Sequence, residues 1–503
     1  MSRRLYLMLV LARLYFALQP SYVHPDEHFQ GPEVITGDIF GWPVYRTWEF
    51  TSGHPIRSIF PLWLVYRPPL TIFKWICHGL GYQAAPIDVF YALRLFMFLL
   101  SFVLQDWALH ELLLETPERS LSLLLVASSY VTGTYQMHTF SNSIETIIVL
   151  WCLVLMRRLQ ANKDHVQIRL CVALSFLGTL GVFNRITFPA YLAVAAAKTL
   201  PHLVAKPLRL LPLAVAASLT AMVAIAIDTE FYRGHRANFT SNSTSIVCTP
   251  WNNLVYNLDA ANLAQHGLHP HWHHLVLNLA QLIGPAYPLL LTNGRKDTLF
   301  WSAIGGIGIL SCFKHQEARF LTPAVPLLLS AIKLPTRRAP SWLYLWAAFN
   351  MVAAVLFGIY HQGGVVPVQS WIGKQSNVSH VLWWKTYSPP RWLLGTTNVV
   401  INTTDLMGMP GDGMLEQLAH AADCRNSTRR TLLVAPLSAT FLDAYTDSHV
   451  VMEGSTFALD QIHLHRAHIG LDDLDWGEDG VWPTLRRVVG RRGLGIWTVQ
   501  KEC

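Results

Sequence analysis

The stretch LLPLAVAASLTAMVAIAI, residues 210–227, decides the fold class because it carries no charged side chain over almost the length of a bilayer core. A helix needs about 20 predominantly apolar residues to cross about 30 Å of hydrocarbon. Two further runs without charge, Leu121–Phe140 and Trp342–Tyr360, meet the same requirement. The sequence therefore predicts a protein that crosses a membrane at these three places.

The composition of the whole chain agrees with a polytopic membrane protein. Of its 503 residues, 52% are hydrophobic and only 14% are Asp, Glu, Lys or Arg, whereas soluble domains have about 25% charged residues. The 18 Trp, 17 Tyr and 23 Phe exclude a disordered chain. The net charge of +7 is not gathered into a water-facing patch, which excludes a nucleic-acid-binding protein.

Further apolar runs recur along the first 360 residues. They lie at 88–112, 143–156, 170–184, 187–199, 275–292, 298–313 and 320–332. The last two are short, which indicates half-helices or buried hairpins. The N-terminal run Leu5–Leu18 is interpreted as a retained signal anchor because no small-residue cleavage site follows it. Together the runs predict a mostly α-helical bundle with about eleven transmembrane helices.

The two sides of the predicted membrane differ in charge and in glycosylation motifs. With the N-terminus in the cytosol, the cytosolic connections hold 15 Lys and Arg against four acidic residues, and such an excess is typical of the cytosolic side. All five good N-glycosylation motifs fall on the other side: Asn238, Asn242, Asn377, Asn402 and Asn426. We therefore expect a multi-pass protein of the secretory pathway with a cytosolic N-terminus and a lumenal C-terminus.

This topology divides the chain into two domains. The transmembrane domain covers 1–360 and contains a first lumenal loop, 20–87, and a second large lumenal loop, 228–271. The tail 361–503 has short strand-like runs between Gly-rich turns. These runs are Asn398–Ile401, Thr431–Val434 and Ile496–Val499. We interpret the tail as a small lumenal α/β or α+β domain.

The first lumenal loop opens with YVHPDEHFQGPE, residues 22–33, which contains two adjacent carboxylates. Pro25 and Pro32 restrict the backbone on either side of Asp26 and Glu27. A carboxylate held at a membrane surface is suited to accept a proton from a sugar hydroxyl. The alternative is that both carboxylates only stabilise the N-terminus of a helix. The two interpretations are compatible, since a helix N-terminus also positions a base.

This loop and several later segments resemble the signatures of the lipid-linked mannosyltransferases of glycosyltransferase family 22, which have the GT-C fold. The matches follow the family's order and cover nearly the whole chain. They are HPDEHFQGPE (24–33), NRITFP (184–189), DTEFY (228–232), TPWNNLVYN (249–257) and HQEARFL (315–321). HGLHP (266–270) and TYSPPR (386–391) are similar to the members that modify glycosylphosphatidylinositol (GPI) precursors. One departure is Arg233, which separates DTEFY from the glycine that usually follows it.

The resemblance implies an enzyme of the endoplasmic reticulum membrane that uses dolichyl-phosphate mannose and inverts the anomeric carbon. It implies that a fourth mannose is added to a GPI precursor in α-1,2 linkage to the third. Such a transfer needs a base for the acceptor hydroxyl and stabilisation of the departing phosphate. We expect Asp26 to be the base, with Glu27 as second choice or as a hydrogen-bonding group for the acceptor. Phosphate is a good leaving group, so no metal and no other cofactor is expected.

Three cations are the candidates to meet the donor phosphate: Arg319, His315 and Arg185. A guanidinium suits phosphate because its planar donor fork matches two oxygens. The alternative for each arginine is a helix-end side chain that extends toward water.

The candidates to contact the acceptor glycan are His24, His28, Gln30, Asp228, Tyr232, His266 and His269. Asp228 has the alternative of solvating a helix end. The histidines between 266 and 274 have spacings that a zinc site could use, but no cysteine lies nearby and the carboxylates are distant in sequence. We interpret them as interfacial side chains and as a wall of the acceptor site, and we expect no bound metal.

Other functions stay open at this point. A sibling enzyme would add the third GPI mannose or a mannose of the dolichol-linked N-glycan precursor. A lipid transporter or flippase would place ionisable groups near the bilayer midplane, whereas the acidic groups here crowd one face. A non-catalytic subunit would tolerate loss of the Asp26 carboxylate. The partners that the leading interpretation implies are a lipid-linked donor and a GPI-lipid acceptor, without nucleic acid, and we expect a monomer.

Overall fold

The structure is a computed structural model of the chain. It describes residues 3–114, 116–161, 167–234, 246–264, 267–335, 337–396, 401–422, 429–446, 450–452, 455–471, 474 and 480–501. The chain forms two compact units, and neither is continuous in sequence. Unit 1 contains Met1–Ala17, Arg46–Trp75 and Ala92–Val352, and unit 2 contains Leu18–Tyr45, Ile76–Tyr91 and Ala353–Cys503. The start of the predicted first loop thus groups with the C-terminal tail, while the domain boundary at residue 360 stays a prediction.

Helices make up almost all of the regular structure in unit 1. They are Arg3–Ala17, Trp48–Thr51, Phe60–Val65, Arg67–Gly79, Pro86–Leu100, Asp106–Leu112, Thr116–Ser128, Tyr130–Gly133, Ser141–Ala161, Ile168–Asn184, Phe188–Val204, Leu210–Gly234, Thr249–Leu258, Ala260–Ala264, Leu279–Ile283, Ala286–Asn293, Thr298–Leu310, Ala324–Ser330 and Ala339–Val355. Three of these helices cross the boundary between the units: Pro86–Leu100 begins in unit 2, and Arg67–Gly79 and Ala339–Val355 end there. Short π or 3-10 turns lie at Ser101–Gln105, Tyr135–Met137, Pro207–Arg209, His274–Asn278, Ala318–Leu321 and Leu356–Tyr360.

Three helices in the described residues are long and apolar enough to cross a membrane: Pro86–Leu112, Pro207–Gly234 and Ala339–Tyr360. Two sharply bent helix pairs raise this number to five if each pair is one span. The pairs are Tyr130–Met137 with Ser141–Ala161 and His274–Ile283 with Ala286–Asn293. The predicted crossings at 210–227 and 342–360 lie inside two of these spans, whereas the total of about eleven stays a prediction.

The run Leu121–Phe140 is not one helix, which corrects the prediction of a single crossing there. The helix that contains its first half ends at Ser128, and Ser129 has an extended backbone with φ −69° and ψ 132°. The amide of Tyr130 donates to the side-chain oxygen of Asn350 at 2.8 Å, and a polar group inserted in this way breaks a helix. The second half of the run is buried inside unit 1.

Unit 2 is built around a six-stranded sheet. Its strands are β1 (Val378–Trp383), β2 (Asn402–Asp405), β3 (Arg430–Pro436), β4 (Val450–Met452), β5 (Ser455–His465) and β6 (Leu494–Lys501). Their order is β2-β1-β3-β6-β5-β4, with β1 parallel to both of its neighbours and the other pairs antiparallel. Two of the predicted strands, within β3 and β6, are confirmed. Of the third, Asn398–Ile401, residues 398–400 lie outside the described residues, and β2 begins just after it.

Both faces of the sheet are covered by apolar side chains. Successive residues of β3 pack on opposite faces. Leu432 and Val434 join a cluster with the Val365–Ile372 helix, while Leu433 joins the cluster on the other face. That second cluster includes the inward side of the Gly411–Ala421 helix. A sheet covered on both faces needs apolar residues in continuous runs rather than in alternation. The remaining helices and turns of unit 2 are Asp26–Phe29, Pro32–Phe40, Arg391–Leu394, Thr440–Leu442, Asp443–Thr446 and Val481–Gly490.

Candidate functional site

The first-loop carboxylates occupy the first turn of a short helix in unit 2. Pro25 precedes the helix Asp26–Phe29, and Gly31 separates it from the next helix, Pro32–Phe40. Proline is favoured at helix starts because its φ is already helical. The first-loop cluster, which we define as His24, Asp26, Glu27, His28 and Gln30, lies on this turn. The expected helix start is therefore confirmed, and it places the two carboxylates in different surroundings.

Asp26 is held by its neighbours but keeps access to solvent. Its Oδ2 atom accepts a hydrogen bond from the side-chain amide of Gln30. The Nδ1 atom of His24 lies 3.6 Å from Oδ1 and accepts from the backbone amide of Asp26 at 3.2 Å. The side chain is 20% exposed, so a hydroxyl can approach a carboxylate whose orientation is already fixed. This combination suits a general base.

Glu27 has a different environment from its neighbour. Its side chain is fully buried, and its Oε1 atom lies 3.3 Å from Nε2 of the equally buried His28. An external hydroxyl does not reach a carboxylate that has no solvent contact. The geometry therefore favours Asp26 as the residue that contacts substrate and Glu27 as a residue that fixes His28.

Aromatic contacts join the first-loop cluster to the TYSPPR segment of the same unit. The Tyr22 ring packs edge-on at 4.7 Å from His28 and 5.4 Å from Tyr387, and its hydroxyl donates to the Ser388 carbonyl at 3.1 Å. The His28 ring also lies 6.3 Å from the ring of Trp392. The structure thus brings together two motifs that are more than 350 positions apart. No periodicity in the sequence indicates this contact.

Glu33, the last residue of the loop motif, was not predicted from the sequence as a site residue. It is fully buried, and its Oε1 atom accepts from the Tyr45 amide at 2.7 Å. Burial raises the pKa of Glu33 to about 8, although the amides of Tyr45, Trp392 and Arg391 oppose the shift. A carboxyl with such a pKa changes charge near neutral pH.

In unit 1, the three predicted phosphate-binding cations gather around one aromatic ring. The guanidinium carbons of Arg185 and Arg319 lie 5.0 and 5.1 Å from the centre of the Phe320 ring, and the His315 ring lies 5.4 Å from it. We call Arg185, His315, Arg319 and Phe320 the arginine cluster. Both arginines are buried, which does not fit the alternative that they extend from helix ends into water.

Two carboxylates fix the cations of this cluster. Glu317 contacts both Nε of Arg319 and, at 2.9 Å, Nε2 of His315. Glu145 lies 3.2 Å from Nε of Arg185 and is fully buried. Neither carboxylate was predicted from the sequence as a site residue. The available signal for Glu145 was its position as a single acidic residue inside the apolar run 143–156, since such residues usually mark function.

Asp228 and Tyr232 form hydrogen bonds inside unit 1. The Oδ1 atom of Asp228 accepts from the Ile59 amide at 2.8 Å and from the Ser58 hydroxyl at 3.0 Å, while Oδ2 accepts from the Thr249 hydroxyl at 2.7 Å. The Tyr232 hydroxyl donates to the carbonyl of Arg57. These bonds tie the DTEFY motif to the start of the Phe60–Val65 helix. They favour a structural role, while the predicted contact with acceptor glycan stays a prediction.

The histidine segment packs against the HQEARFL motif. The His269 amide donates to the Lys314 carbonyl at 2.7 Å, and the His269 and His273 rings are 4.3 Å apart. His266 lies outside the described residues. Within the described ranges, no three His, Cys, Asp or Glu side chains are grouped closely enough to hold a metal, and the expectation that no metal is required stays a prediction.

Two of the five glycosylation motifs lie in described residues, and both asparagines are exposed. Asn377 has a left-handed backbone with φ 67°, and Asn402 begins the edge strand β2. Asn238, Asn242 and Asn426 lie outside the described residues. Exposure is what a glycan requires, and modification at each position stays a prediction.

Comparison with known proteins agrees with this arrangement of motifs. The model of the Alg9-like mannosyltransferase family matches residues 4–394. A protein named GPI mannosyltransferase 4 from Aspergillus oryzae is 45% identical over 100% of this chain and 99% of its own length. Proteins of the same name from Emericella nidulans and Saccharomyces cerevisiae are 44% and 35% identical, over 100% and 80% of this chain and 98% and 79% of their own lengths.

A solved structure of ArnT from Cupriavidus metallidurans bound to undecaprenyl phosphate aligns with 89% of this chain and 95% of that chain. The identity is 10% and the TM-score is 0.43, and a likeness at this level supports no further conclusion. The family match extends over most of the sequence, and its range contains the first-loop cluster, the arginine cluster and the TYSPPR segment. The resemblance seen in the sequence is thereby confirmed: the chain belongs to the Alg9-like mannosyltransferase family and is a multi-pass membrane glycosyltransferase.

Proposed function

We propose that this enzyme transfers mannose from dolichyl-phosphate mannose to a GPI precursor and adds the fourth mannose in α-1,2 linkage to the third. The similarity to proteins named GPI mannosyltransferase 4 over the whole chain supports this acceptor. The observation that carries the chemistry is the geometry of Asp26, which is oriented by Gln30 and His24 and still open to solvent.

In this reaction Asp26 accepts the proton from the 2-hydroxyl of the third mannose. The hydroxyl oxygen attacks the anomeric carbon of the donor on the face opposite the phosphate and forms the new C–O bond. The bond from that carbon to the phosphate oxygen breaks, and its electron pair leaves with dolichyl phosphate. The configuration inverts, and the proton remains on the Asp26 carboxylate until water removes it.

The departing phosphate gains negative charge, and the arginine cluster supplies cations suited to it. Arg185 and Arg319 are each held by a carboxylate and by the Phe320 ring. Donors fixed before the reaction stabilise developing charge without first reorganising. A planar guanidinium also matches phosphate oxygens better than an ammonium group does. We assign this role to Arg185 and Arg319, with His315 beside them, and propose that no metal takes part.

The proposal includes the place of action and the architecture. We assign the enzyme to the endoplasmic reticulum membrane and expect a monomer with the GT-C fold. Its N-terminus would lie in the cytosol, and the residues of unit 2 after 360 would lie in the lumen. The excess of basic residues in the predicted cytosolic connections and the five glycosylation motifs on the opposite side support this orientation.

Mass spectrometry of GPI headgroup glycans tests the proposal in cells that lack the protein, before and after its return. We expect headgroups that stop at three mannoses, with the fourth regained on rescue by the intact chain and not by Asp26→Asn. Unchanged GPI glycans with shortened lipid-linked N-glycan precursors would contradict the acceptor assignment. If neither glycan changes, the assignment to this step of glycan assembly is wrong.

A further inference from the structure

One helix of unit 2 carries most of the large exposed apolar side chains in the described part of the tail. Among the described residues after 361, the exposed large apolar side chains are Met407, Ile462, Val481, Trp482, Leu485 and Val489. Four of these six lie on the helix Val481–Gly490, and Trp482 is 80% exposed. An exposed apolar surface of this kind usually marks a contact with another molecule or with a membrane.

The four side chains form one continuous stripe. Val481, Leu485 and Val489 follow each other at intervals of four residues, which places them on the same side of a helix, with Trp482 beside them. Thr484 and Val488 lie three residues after Val481 and Leu485, along one edge of the stripe, and they are buried and fasten the helix to the domain. The stripe therefore borders the packed side of the helix and is itself exposed. At about 1.5 Å per residue, the helix is about 15 Å long.

The C-terminal end of this helix is tied to the end of a membrane span. The guanidinium carbon of Arg492, two residues beyond the helix, lies 6.0 Å from the centre of the Tyr360 ring. Tyr360 is the last residue of the span Ala339–Tyr360, and its carbonyl accepts from the Ile469 amide at 2.7 Å. Tyrosine at the end of a span lies at the level of the lipid headgroups. The C-terminal end of the helix therefore lies near that level.

We propose that the helix Val481–Gly490 lies in the interface of the bilayer, with its apolar stripe among the lipids. An amphipathic helix with tryptophan and aliphatic residues on one side and arginine beside them binds membranes in this way. Arg486 is exposed next to the stripe, and Arg491 and Arg492 follow the helix. This inference does not depend on the acceptor or on the reaction.

Burial of the apolar stripe, rather than charge, holds the helix to the membrane. Arg491, which follows the helix, is already paired with Asp443, its Nη1 atom lying 2.5 Å from Oδ2 of that carboxylate. Attraction to anionic lipids is screened within a short distance by salt, whereas burial of apolar area is not. The proposed ligand is therefore a bilayer of zwitterionic lipid, and anionic lipid is not required.

Photocrosslinking in phosphatidylcholine nanodiscs tests this inference with the full chain. One sample carries p-benzoylphenylalanine at position 482 in place of Trp, and the control carries it at position 417, which is also exposed but lies on the Gly411–Ala421 helix. Because the apolar side of an interfacial helix sits ~5–10 Å into the lipid boundary, we expect roughly tenfold more lipid adduct at position 482 than at position 417. High salt should not change this ratio. Equal lipid labelling at the two positions, or labelling of another protein at 482, overturns the proposal.

A charge placed in the stripe gives a second test. Val489→Glu should reduce lipid labelling at position 482 severalfold, and Ile462→Glu, a matched change on β5, should leave it unchanged. Both side chains are exposed, so the apparent melting temperature of each variant should stay near that of the parent. Undiminished labelling in Val489→Glu would show that the stripe does not hold the helix in lipid.

Discussion

The hydroxyl of Tyr22 donates to the carbonyl oxygen of Ser388 at 3.1 Å across 366 positions of sequence. The same Tyr22 ring belongs to the apolar cluster on one face of the C-terminal sheet. The turn that carries Asp26 begins four residues after it. The C-terminal sheet and the TYSPPR segment therefore help to position the proposed base. Removing the C-terminal domain should disturb the site.

Replacing Asp26 by Asn should abolish transfer while leaving the fold intact. Asn preserves the shape of the side chain but does not accept the proton, and a positioned base contributes roughly 10²–10⁴-fold to a rate. We expect kcat to fall by about this factor, measured as mannose transfer by purified protein. Asp38→Asn, an exposed carboxylate on the following helix, is the control and should keep full activity. Normal turnover in Asp26→Asn would remove Asp26 from its assigned role.

Replacing Arg319 by Lys should weaken the use of the donor more than the use of the acceptor. Lysine keeps the charge but loses the planar fork and its stacking on Phe320. A charge-assisted hydrogen bond contributes about 1.5–3 kcal/mol, so kcat/KM for the donor should fall roughly 10- to 150-fold. Arg158→Lys is the control because Arg158 forms an exposed ion pair with Glu111, and such pairs contribute little. An effect confined to the acceptor KM would contradict the assignment.

The variant Glu317→Gln tests whether Glu317 orients the cations of the arginine cluster. Glu317 contacts both Arg319 and His315, so the amide should leave Arg319 present but less well oriented. We expect a loss in donor kcat/KM in the same direction as in Arg319→Lys but smaller. If Glu317→Gln binds the donor as well as the parent does, Glu317 has no part in orienting the cations.

The sequence was most informative where one local property determines the structure. The span containing 210–227 and the strands containing Thr431–Val434 and Ile496–Val499 were predicted because length and apolar content suffice for them. The broken run at 121–140 was predicted wrongly, since its break depends on Asn350, more than 200 positions away.

The same limit applies to the candidate site. The chemistry of Arg185, His315 and Arg319 was readable from residue types and motifs, but their meeting around Phe320 was not. The pairing of Glu145 with Arg185 was not readable either, because the two residues are 40 positions apart in the sequence. Sequence patterns thus indicate which groups carry chemistry, whereas tertiary packing decides which of them meet.

Replacing Asp228 by Ala should reduce the stability of unit 1 rather than the chemistry. Its two oxygens accept from a buried amide and from two hydroxyls, and leaving such donors without a partner costs roughly 3 kcal/mol or more in total. We expect a lower apparent melting temperature and less protein, with kcat per folded molecule unchanged. Glu230→Ala, an exposed position on the same helix, should change neither. Intact stability of Asp228→Ala combined with a raised acceptor KM would instead favour a role in acceptor binding.

Glu33 should make the stability of unit 2 depend on pH in the direction opposite to that of an ordinary carboxylate. Burial raises its pKa from 4.5 in the unfolded chain to about 8 in the folded protein, so between these values the folded state holds one more proton than the unfolded state. The contribution of Glu33 to stability is then greatest below about pH 4.5, falls as the pH rises toward about 8, and levels off above it, by at most roughly 5 kcal/mol.

The variant Glu33→Gln isolates this contribution because glutamine stays neutral throughout the range. Apparent melting temperatures in detergent are measured at several pH values between about 5 and 8, and the melting temperature of the parent chain relative to that of Glu33→Gln should fall as the pH rises. Glu416→Gln, a change of an exposed carboxylate of the same unit, should follow the parent. Equal slopes in the parent and in Glu33→Gln would show that Glu33 is already ionised in the folded protein. In that case the amides of Tyr45, Trp392 and Arg391 outweigh the cost of burial.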